Sequence, residues 1–325
     1  MRIRRLLLVA PFVALVSLAL WVSRSEAEPG TVKEIVPGVW FREGEIQQMG
    51  HCNNVIIEMK DYLIVIDANF PSGAELALAA AKKVSSKPVR YVFDTHHHGD
   101  HAYGNPVWTK AGATTLAYVG VAEEMRRYEP AGWQGAAKSR KDVAALNLST
   151  AEPPQKTFAE SPFVLEDDTR RVEFHFFGWA HTRGDGFAYL PKEKVLASGD
   201  AIVNGAYNFT GHGNTGNWPN VLRKLKSTLD VQHVLPGHGG TAGPELIDGQ
   251  MRFFEEINKA VEAQFKQKKN ISEVVTVEGG RGVKTTIQLP AAVQNWVGNG
   301  FAEQVRVRWA ELAAGKPHGE ILGGK

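Results

Sequence analysis

The stretch that most constrains the fold runs from Tyr91 to His101 and reads Tyr-Val-Phe-Asp-Thr-His-His-His-Gly-Asp-His. Tyr91, Val92 and Phe93 form an apolar run expected to be a buried strand. It stops at a cluster of imidazoles and a carboxylate that no hydrophobic core could accommodate. A strand that ends this way delivers side chains to a site. His96, His98, Asp100 and His101 are nitrogen and oxygen donors of the kind that bind Zn²⁺, and in extended backbone His96 and His98 project to the same side, towards one ion. Gly99 lets the chain turn, which would aim Asp100 and His101 at a second ion. A terminal tag would not follow an apolar strand in mid-chain.

Further donors lie downstream: His181 in Ala-His-Thr-Arg-Gly-Asp, Asp200 in Ala-Ser-Gly-Asp and His238 in Leu-Pro-Gly-His-Gly. Together with His96-x-His98-x-Asp100-His101 they resemble the signature of the metallo-β-lactamase superfamily, over about Val32 to Gly240. The resemblance implies an α/β fold, an αββα sandwich of two mixed β-sheets flanked by helices, here followed by a C-terminal helical extension. It also implies two metal ions. His96, His98 and His181 would hold one, Asp100, His101 and His238 the other, with Asp200 between them. The cofactor it implies is a pair of Zn²⁺ ions whose bridging hydroxide attacks a carbonyl or phosphoryl centre, with Asp100 orienting the nucleophile and handling its proton.

Hydrolysis of a small ester, lactone, thioester or amide is the expected reaction. Iron or manganese is the second choice of metal, and an iron-dependent sulfur or oxygen redox enzyme, similar to the persulfide dioxygenases, is the alternative. The diiron flavoprotein branch carries glutamate where this chain has His98, which favours zinc. Dedicated β-lactamases of the superfamily generally lack an aspartate at the position of Asp200, so β-lactam cleavage is expected only as a side activity.

The beginning of the chain reads as a targeting segment. Arg2, Arg4 and Arg5 precede an apolar run from Leu6 to Val22, followed by the small-x-small pattern Ser25-Glu26-Ala27. Residues 1–27 are therefore expected to be a signal peptide and the protein periplasmic or secreted. An uncleaved membrane anchor is the alternative and would be the one membrane contact. Cleavage would remove four arginines and Glu26, taking the formal charge from +2 to −1. A near-neutral mature chain lacks the basic footprint of nucleic-acid binding, so the expected partner is a small-molecule substrate. The single cysteine, Cys52, excludes an intramolecular disulfide and is expected to be a buried apolar filler.

Residues 28–243 are read as the hydrolase domain. Within it, a strand ending on Asp67, a helix from an N-cap at Ser72 to Val84, and the strand leading to the histidines form one unit, with the Lys60–Asp61 pair closing a hairpin upstream. A strand to Asp200, a helix starting near Asn217–Pro219 and a strand to His238 repeat that order, which predicts two related half-domains sharing one edge. Asp67 then either fixes the histidine loop by hydrogen bonds or is a plain turn carboxylate. Tyr207, Asn208 and His212 either touch substrate or serve the loop. His51, His97, His175, His233 and His318 are expected outside the ligand set, with His97 facing away from it. The pattern weakens between Ala113 and Ser161, where helix is expected only to Arg127. Residues 244–325 are read as a helical extension that covers the main domain or makes an oligomer contact; the sequence itself assigns no oligomeric state.

Overall fold

The computed structural model describes residues 30–267 and 270–322, so the leader read at 1–27 lies outside the described residues. Seven strands form the first sheet in sequence order: β1 (Val32–Val36), β2 (Val39–Arg42), β3 (Asn54–Glu58), β4 (Leu63–Ile66), β5 (Val89–Asp94), β6 (Thr114–Tyr118) and β7 (Lys156–Phe158). The pairing is antiparallel up to β4 and parallel from β4 to β7. In the second sheet β8 (Phe163–Glu166), β9 (Arg171–His175), β10 (Phe187–Leu190) and β11 (Val195–Ala197) are antiparallel, and β12 (His233–Leu235) lies parallel to β11. Lys60 and Asp61 close the β3–β4 hairpin, where Met59 N–H donates to the Tyr62 carbonyl at 2.9 Å.

Side-chain alternation assigns the layers, because successive residues of a strand face opposite ways. Val55 and Ile57 of β3, Ile64 and Ile66 of β4, and Phe93 of β5 point inwards to meet Phe174, Ala188 and Val195 of the second sheet. Their neighbours Ile56, Leu63, Val65 and Val92 face out and are covered by helix α1 (Pro71–Val84) and by Trp108. Strands buried on both faces explain the near-continuous apolar runs of β3 and β4. Two short helices, α2 (Gly99–Ala102) and α3 (Asn105–Lys110), follow the histidine run. The outer face of the second sheet is covered by α6 (Trp218–Thr228), α7 (Glu245–Lys266) and α8 (Phe301–Ala314), through Trp218, Phe253, Phe254 and Val305. The result is an αββα sandwich of two mixed sheets.

Three local expectations are corrected. Ser72 does not cap α1: the helix begins at Pro71, whose ring needs no N–H partner, and Ser72 instead directs its N–H and hydroxyl to Asp142 Oδ2 at 3.2 and 2.6 Å. That acid comes from α5 (Lys141–Ala144), so the helix start is satisfied from outside. Helix α4 (Val119–Ser139) runs twelve residues past Arg127, through Pro130 and Gly132, because Trp133 is buried against the Tyr103 ring at 4.9 Å. Tertiary burial there overrides poor helix propensity. The C-terminal extension, which ends in α9 (His318–Leu322), is not wholly helical: β13 (Val275–Glu278) and β14 (Arg281–Thr285) form a hairpin turned by Gly279 and Gly280, both at positive φ. Among the described residues no helix is long and apolar enough to cross a membrane.

Candidate metal centre

Ligands in open α/β sheets gather beyond the carboxyl ends of parallel strands, and the parallel pairs β4–β5 and β11–β12 end at the same edge. Strand β5 runs into Thr95 and His96, β4 into Asp67, β11 into Gly199 and Asp200, and β12 into His238. Backbone bonds lock the two sheets together at this edge. Gly186 N–H donates to the Thr95 carbonyl at 2.7 Å, and Asn53 reaches the Gly237, Pro236 and Gly239 carbonyls at 2.8–2.9 Å.

All seven side chains singled out in the sequence meet there, in overlapping groups. His96, His98 and His181 offer ligand atoms within 4.8 Å of one another, as do Asp100, His101 and His238, and His96, His101 and Asp200. His238 Nε2 lies 3.0 Å from Asp100 Oδ2 and 3.4 Å from Asp200 Oδ2. His101 Nε2 lies 3.3 Å from Asp200 Oδ1, and His181 Nε2 lies 3.8 Å from Asp200 Oδ2. Asp200 thus faces both groups.

The far nitrogens of His96, His98, His101 and His181 each have a partner, whereas His238 Nδ1 is buried without one. His181 Nδ1 donates to the Phe209 carbonyl at 3.0 Å, and His101 Nδ1 to Asp67 Oδ2 at 2.8 Å. His96 Nδ1 lies 3.0 Å from the Thr95 hydroxyl, which itself donates to Asp67 Oδ1 at 2.8 Å. His98 Nε2 lies 2.9 Å from His212 Nδ1. The near nitrogens His96 Nε2, His98 Nδ1, His181 Nε2 and His101 Nε2 all face one space. His98 Nδ1 and His181 Nε2 are 2.9 Å apart, a hydrogen-bonding distance when no ion is bound and close enough for both to ligate the same ion. His96 Nε2 is buried with no hydrogen-bond partner, a costly arrangement for a protein group left alone. Nitrogen and carboxylate donors with an orphaned nitrogen fit divalent metal ions.

Electrostatics divide the site. Burial pushes His96 and His98 well below the usual imidazole range and His181 down to about 4, so these rings are neutral. At His238 burial opposes the imidazolium, but Asp200 and Asp100 outweigh it and hold the pKa near 9. His101 is likewise driven up, against its burial, by Cys52, Asp200, Asp100 and Asp67. Asp100 and Asp200 are held well below the normal carboxylate range despite burial, by His101 and His238. Without metal, one half of the site is therefore a buried cluster of two imidazolium and two carboxylate groups.

The surroundings resolve the open alternatives. Asp67 fixes the histidine loop, since Thr95 N–H, Thr95 Oγ1 and His101 Nδ1 all donate to it. Asp185 holds the His181 turn by accepting from the N–H groups of Ala180, His181 and Thr182 and from the Thr182 hydroxyl. His97 faces away from the ligand space, 3.1 Å from His212 Nδ1. His212 supports His98 and stacks on Tyr128 at 4.0 Å. Asn208 turns inward, bound by Gln250 and Gln304, so it serves the loop. Cys52 is fully buried behind His101, on the Asp67 side of the ring. Phe209 stays 47% exposed with its ring 5.3 Å from His98, a role that one aromatic in a loop could not have signalled in the sequence.

A four-layer sandwich with a buried histidine and aspartate centre at the shared sheet edge defines a metallo-hydrolase class of architecture. Residues 48–243 match the metallo-beta-lactamase superfamily, and the chain belongs to it. Among curated proteins it is 25% identical over 117 residues to the metallo-beta-lactamase type 2 of Bacteroides fragilis, a match covering 35% of this chain. The chain spans about half of that relative's length, 45%. Similar solved structures are metallo-beta-lactamases from Pontibacter korlensis (20% identity, TM-score 0.57, 69% of this chain and 98% of that one) and Hirschia baltica (20%, 0.55, 70% and 98%). A third, from Pseudomonas aeruginosa in a mono-zinc form, has 21% identity and a TM-score of 0.55 over 70% of this chain and 95% of that one. At these identities the likeness concerns the fold.

Proposed function

We propose that the protein is an exported, zinc-dependent hydrolase of a small ester, lactone, thioester or amide. The observation that carries this reading is the convergence of seven donor side chains on one buried space, with His96 Nε2 left unpartnered there. His96, His98 and His181 would hold one ion and Asp100, His101 and His238 the other, with Asp200 facing both. Bound there, zinc supplies Lewis acidity towards the attacked oxygen and acidifies water near neutral pH. A donor set of imidazoles and carboxylates favours zinc over softer metals, and Cys52, which lies near Asp67 and His101, directs its Sγ to the Asn53 carbonyl at 3.2 Å.

The protein's own groups do the rest. The Asp100 side chain is 21% exposed and so is the ligand carboxylate most open to an incoming molecule. It is suited to orient a nucleophilic water and take up its proton. Asp67, Thr95, His212 and the Phe209 carbonyl fix the imidazoles so that little reorganisation is needed during reaction. Phe209, half-exposed with its ring 5.3 Å from His98, offers an apolar contact beside the ligands.

Metal analysis of the purified protein, with a turnover screen across lactones, thioesters, β-lactams and phosphodiesters, tests this. About two zinc ions per chain are expected, with turnover that falls at least roughly a hundredfold in Asp100→Ala. One iron per chain, oxygen uptake and no hydrolysis would overturn it. β-Lactams belong in the screen because the similar proteins are named as β-lactamases. Export rests on the pattern of residues 1–27, and N-terminal sequencing of the periplasmic or secreted protein should begin at Glu28.

A further inference from the structure

Beside the metal centre lies a second concavity, which the metal ligands do not line. It is a cleft of about 1000 Å³ between the loop at 208–211, the β13–β14 hairpin, the start of α8 and the end of α9. Its volume is at the upper end of what small-ligand sites use, about 300–1000 Å³. Its walls are mixed in polarity, with an apolar part formed by Phe209, Val283 and Leu322, three of only seven large apolar side chains that stand exposed among the described residues. Clustering of exposed apolar surface in one concavity marks a binding site. Charge adds a direction. Arg281 and Lys284 stand exposed on the hairpin side, while the single lining carboxylate, Glu303, is occupied by Arg306 through two bonds of 2.7 Å. The cleft therefore carries a net positive rim.

The walls are fixed in place. Gly282 donates its N–H to Glu303 Oε2 at 2.7 Å, and a Cβ there would come within 2.5 Å of the Ala302 carbonyl, so only glycine lets the hairpin lie this close to α8. The loop is held from both sides. Gln304 donates to the Asn208 carbonyl at 2.7 Å and His318 Nδ1 to the Gly211 carbonyl at 2.7 Å, while the Phe209 carbonyl between them receives His181 Nδ1. Phe209 is thus common to both sites. Its ring meets His98 and also lines the cleft.

We infer that the C-terminal extension builds the specificity cleft of the enzyme, which takes an amphiphilic substrate whose acyl or aryl body lies along Phe209, Val283 and Leu322 and whose anionic end meets Arg281 and Lys284. This rests on the hydrolase reading of the metal centre, which delivers the scissile bond to the other side of Phe209. An apolar body of this kind gains about 25 cal/mol per Å² of surface removed from water, and the paired cations select those bearing an anion.

The test uses the full mature chain, metal-free and zinc-loaded, with the variants R281E/K284E and V283D; all three positions are exposed, and circular dichroism checks folding. The binding probe is 1-anilinonaphthalene-8-sulfonate, an aromatic body with one sulfonate, followed by fluorescence titration. Saturable one-to-one binding is expected in both metal states, weakened about tenfold or more in each folded variant. Dissociation constants within twofold of wild type in both variants would overturn the inference. A second readout compares kcat/KM for mono-p-nitrophenyl suberate with that for p-nitrophenyl acetate. The suberate-to-acetate ratio should fall about tenfold in R281E/K284E, and an unchanged ratio would also overturn the inference. Absence of turnover of any ester, lactone, thioester or amide by the zinc-loaded wild type would instead refute the hydrolase reading, leaving the dye titration to judge the cleft.

Discussion

Replacing Asp67 by Asn tests what orients the His101 ring towards the metal. Asp67 sits at φ 66°, a left-handed conformation that Asn adopts more readily than most residues, so the backbone is preserved. The Asn oxygen can still accept from Thr95 N–H and Thr95 Oγ1, which lie 2.8 Å from Oδ1. The other atom becomes an amide donor facing His101 Nδ1, now 2.8 Å from Asp67 Oδ2. Two donors cannot face each other. His101 must either lose its Nδ1 hydrogen bond or shift its proton to Nε2, and the second choice removes the lone pair aimed at the second ion. A hydrogen bond to a charged partner contributes about 1.5–3 kcal/mol, which corresponds to roughly a tenfold to hundredfold loss of affinity. That is also the usual effect of changing the partner of a metal-bound histidine. His96, His98 and His181 do not touch Asp67, so the first ion should stay. Dialysis against graded chelator with metal counting should show D67N passing from about two ions per chain to about one, and the metal-free protein should also unfold at a lower temperature, because Asp67 is a buried partner of the His101 imidazolium. Two ions held as tightly as in wild type would refute the roles assigned to Asp67 and His101.

Other consequences are as direct. In Gly237→Ala the new Cβ would come within 2.1 Å of Asp200 Oδ1 and 2.7 Å of the Gly199 backbone carbon, so Asp200 must move and turnover should fall at least roughly a hundredfold; a loss below threefold would show that the carboxylate position is not critical. Burial pushes the Cys52 thiol up to about 12, so thiol reagents should label it only after denaturation, and stoichiometric labelling of the native protein would contradict the packing. His238 in the metal-free protein has its pKa raised from about 6.5 to about 9, so the stability it lends is complete below pH 6.5 and lost as the pH rises towards 9. Denaturant midpoints of metal-free protein should therefore fall over that window and those of zinc-loaded protein should not; equal metal-free midpoints at pH 6.5 and 9 would refute the charge cluster.

Much of the site was legible because metal donors are conspicuous. Histidines and aspartates placed directly after apolar strands satisfy no core, so their position in the pattern announces a ligand set before any contact is known. The supporting groups carry no such mark. Thr95, His212 and Phe209 are ordinary residues of ordinary loops, and what they do depends on partners up to 115 positions away, as with His97 and His212. Helix ends failed for a related reason. The Ser72 side chain had the chemistry of an N-cap, but Asp142, 70 residues later, supplied the acceptor, and Pro71 had already fixed where the helix starts. Helix α4 continued through Pro130 and Gly132 because Trp133 and Tyr103 reward it with burial, a gain that local propensity cannot register. Likewise, nothing in the spacing of residues 275–285 indicated that a hairpin there would line a cleft beside Phe209.

The repeated order of strand, helix and strand has a physical counterpart in the ring of His101. Strands β4 and β5 are parallel and joined through α1, and β11 and β12 are parallel and joined through α6. Parallel neighbours with a helical crossover must both end at the same edge, so each half is bound to offer two strand ends there. The first half ends on Asp67 and the histidine run, the second on Asp200 and His238. Asp67 and Asp200 are thus counterparts, yet they take opposite sides of one imidazole: Asp67 Oδ2 lies 2.8 Å from His101 Nδ1, and Asp200 Oδ1 lies 3.3 Å from His101 Nε2. The acid behind the ring fixes its tautomer, and the acid in front shares the space into which its lone pair points. The two contacts come from different halves of the chain, so the way the halves meet at this edge, as well as each donor, determines whether the edge can hold metal.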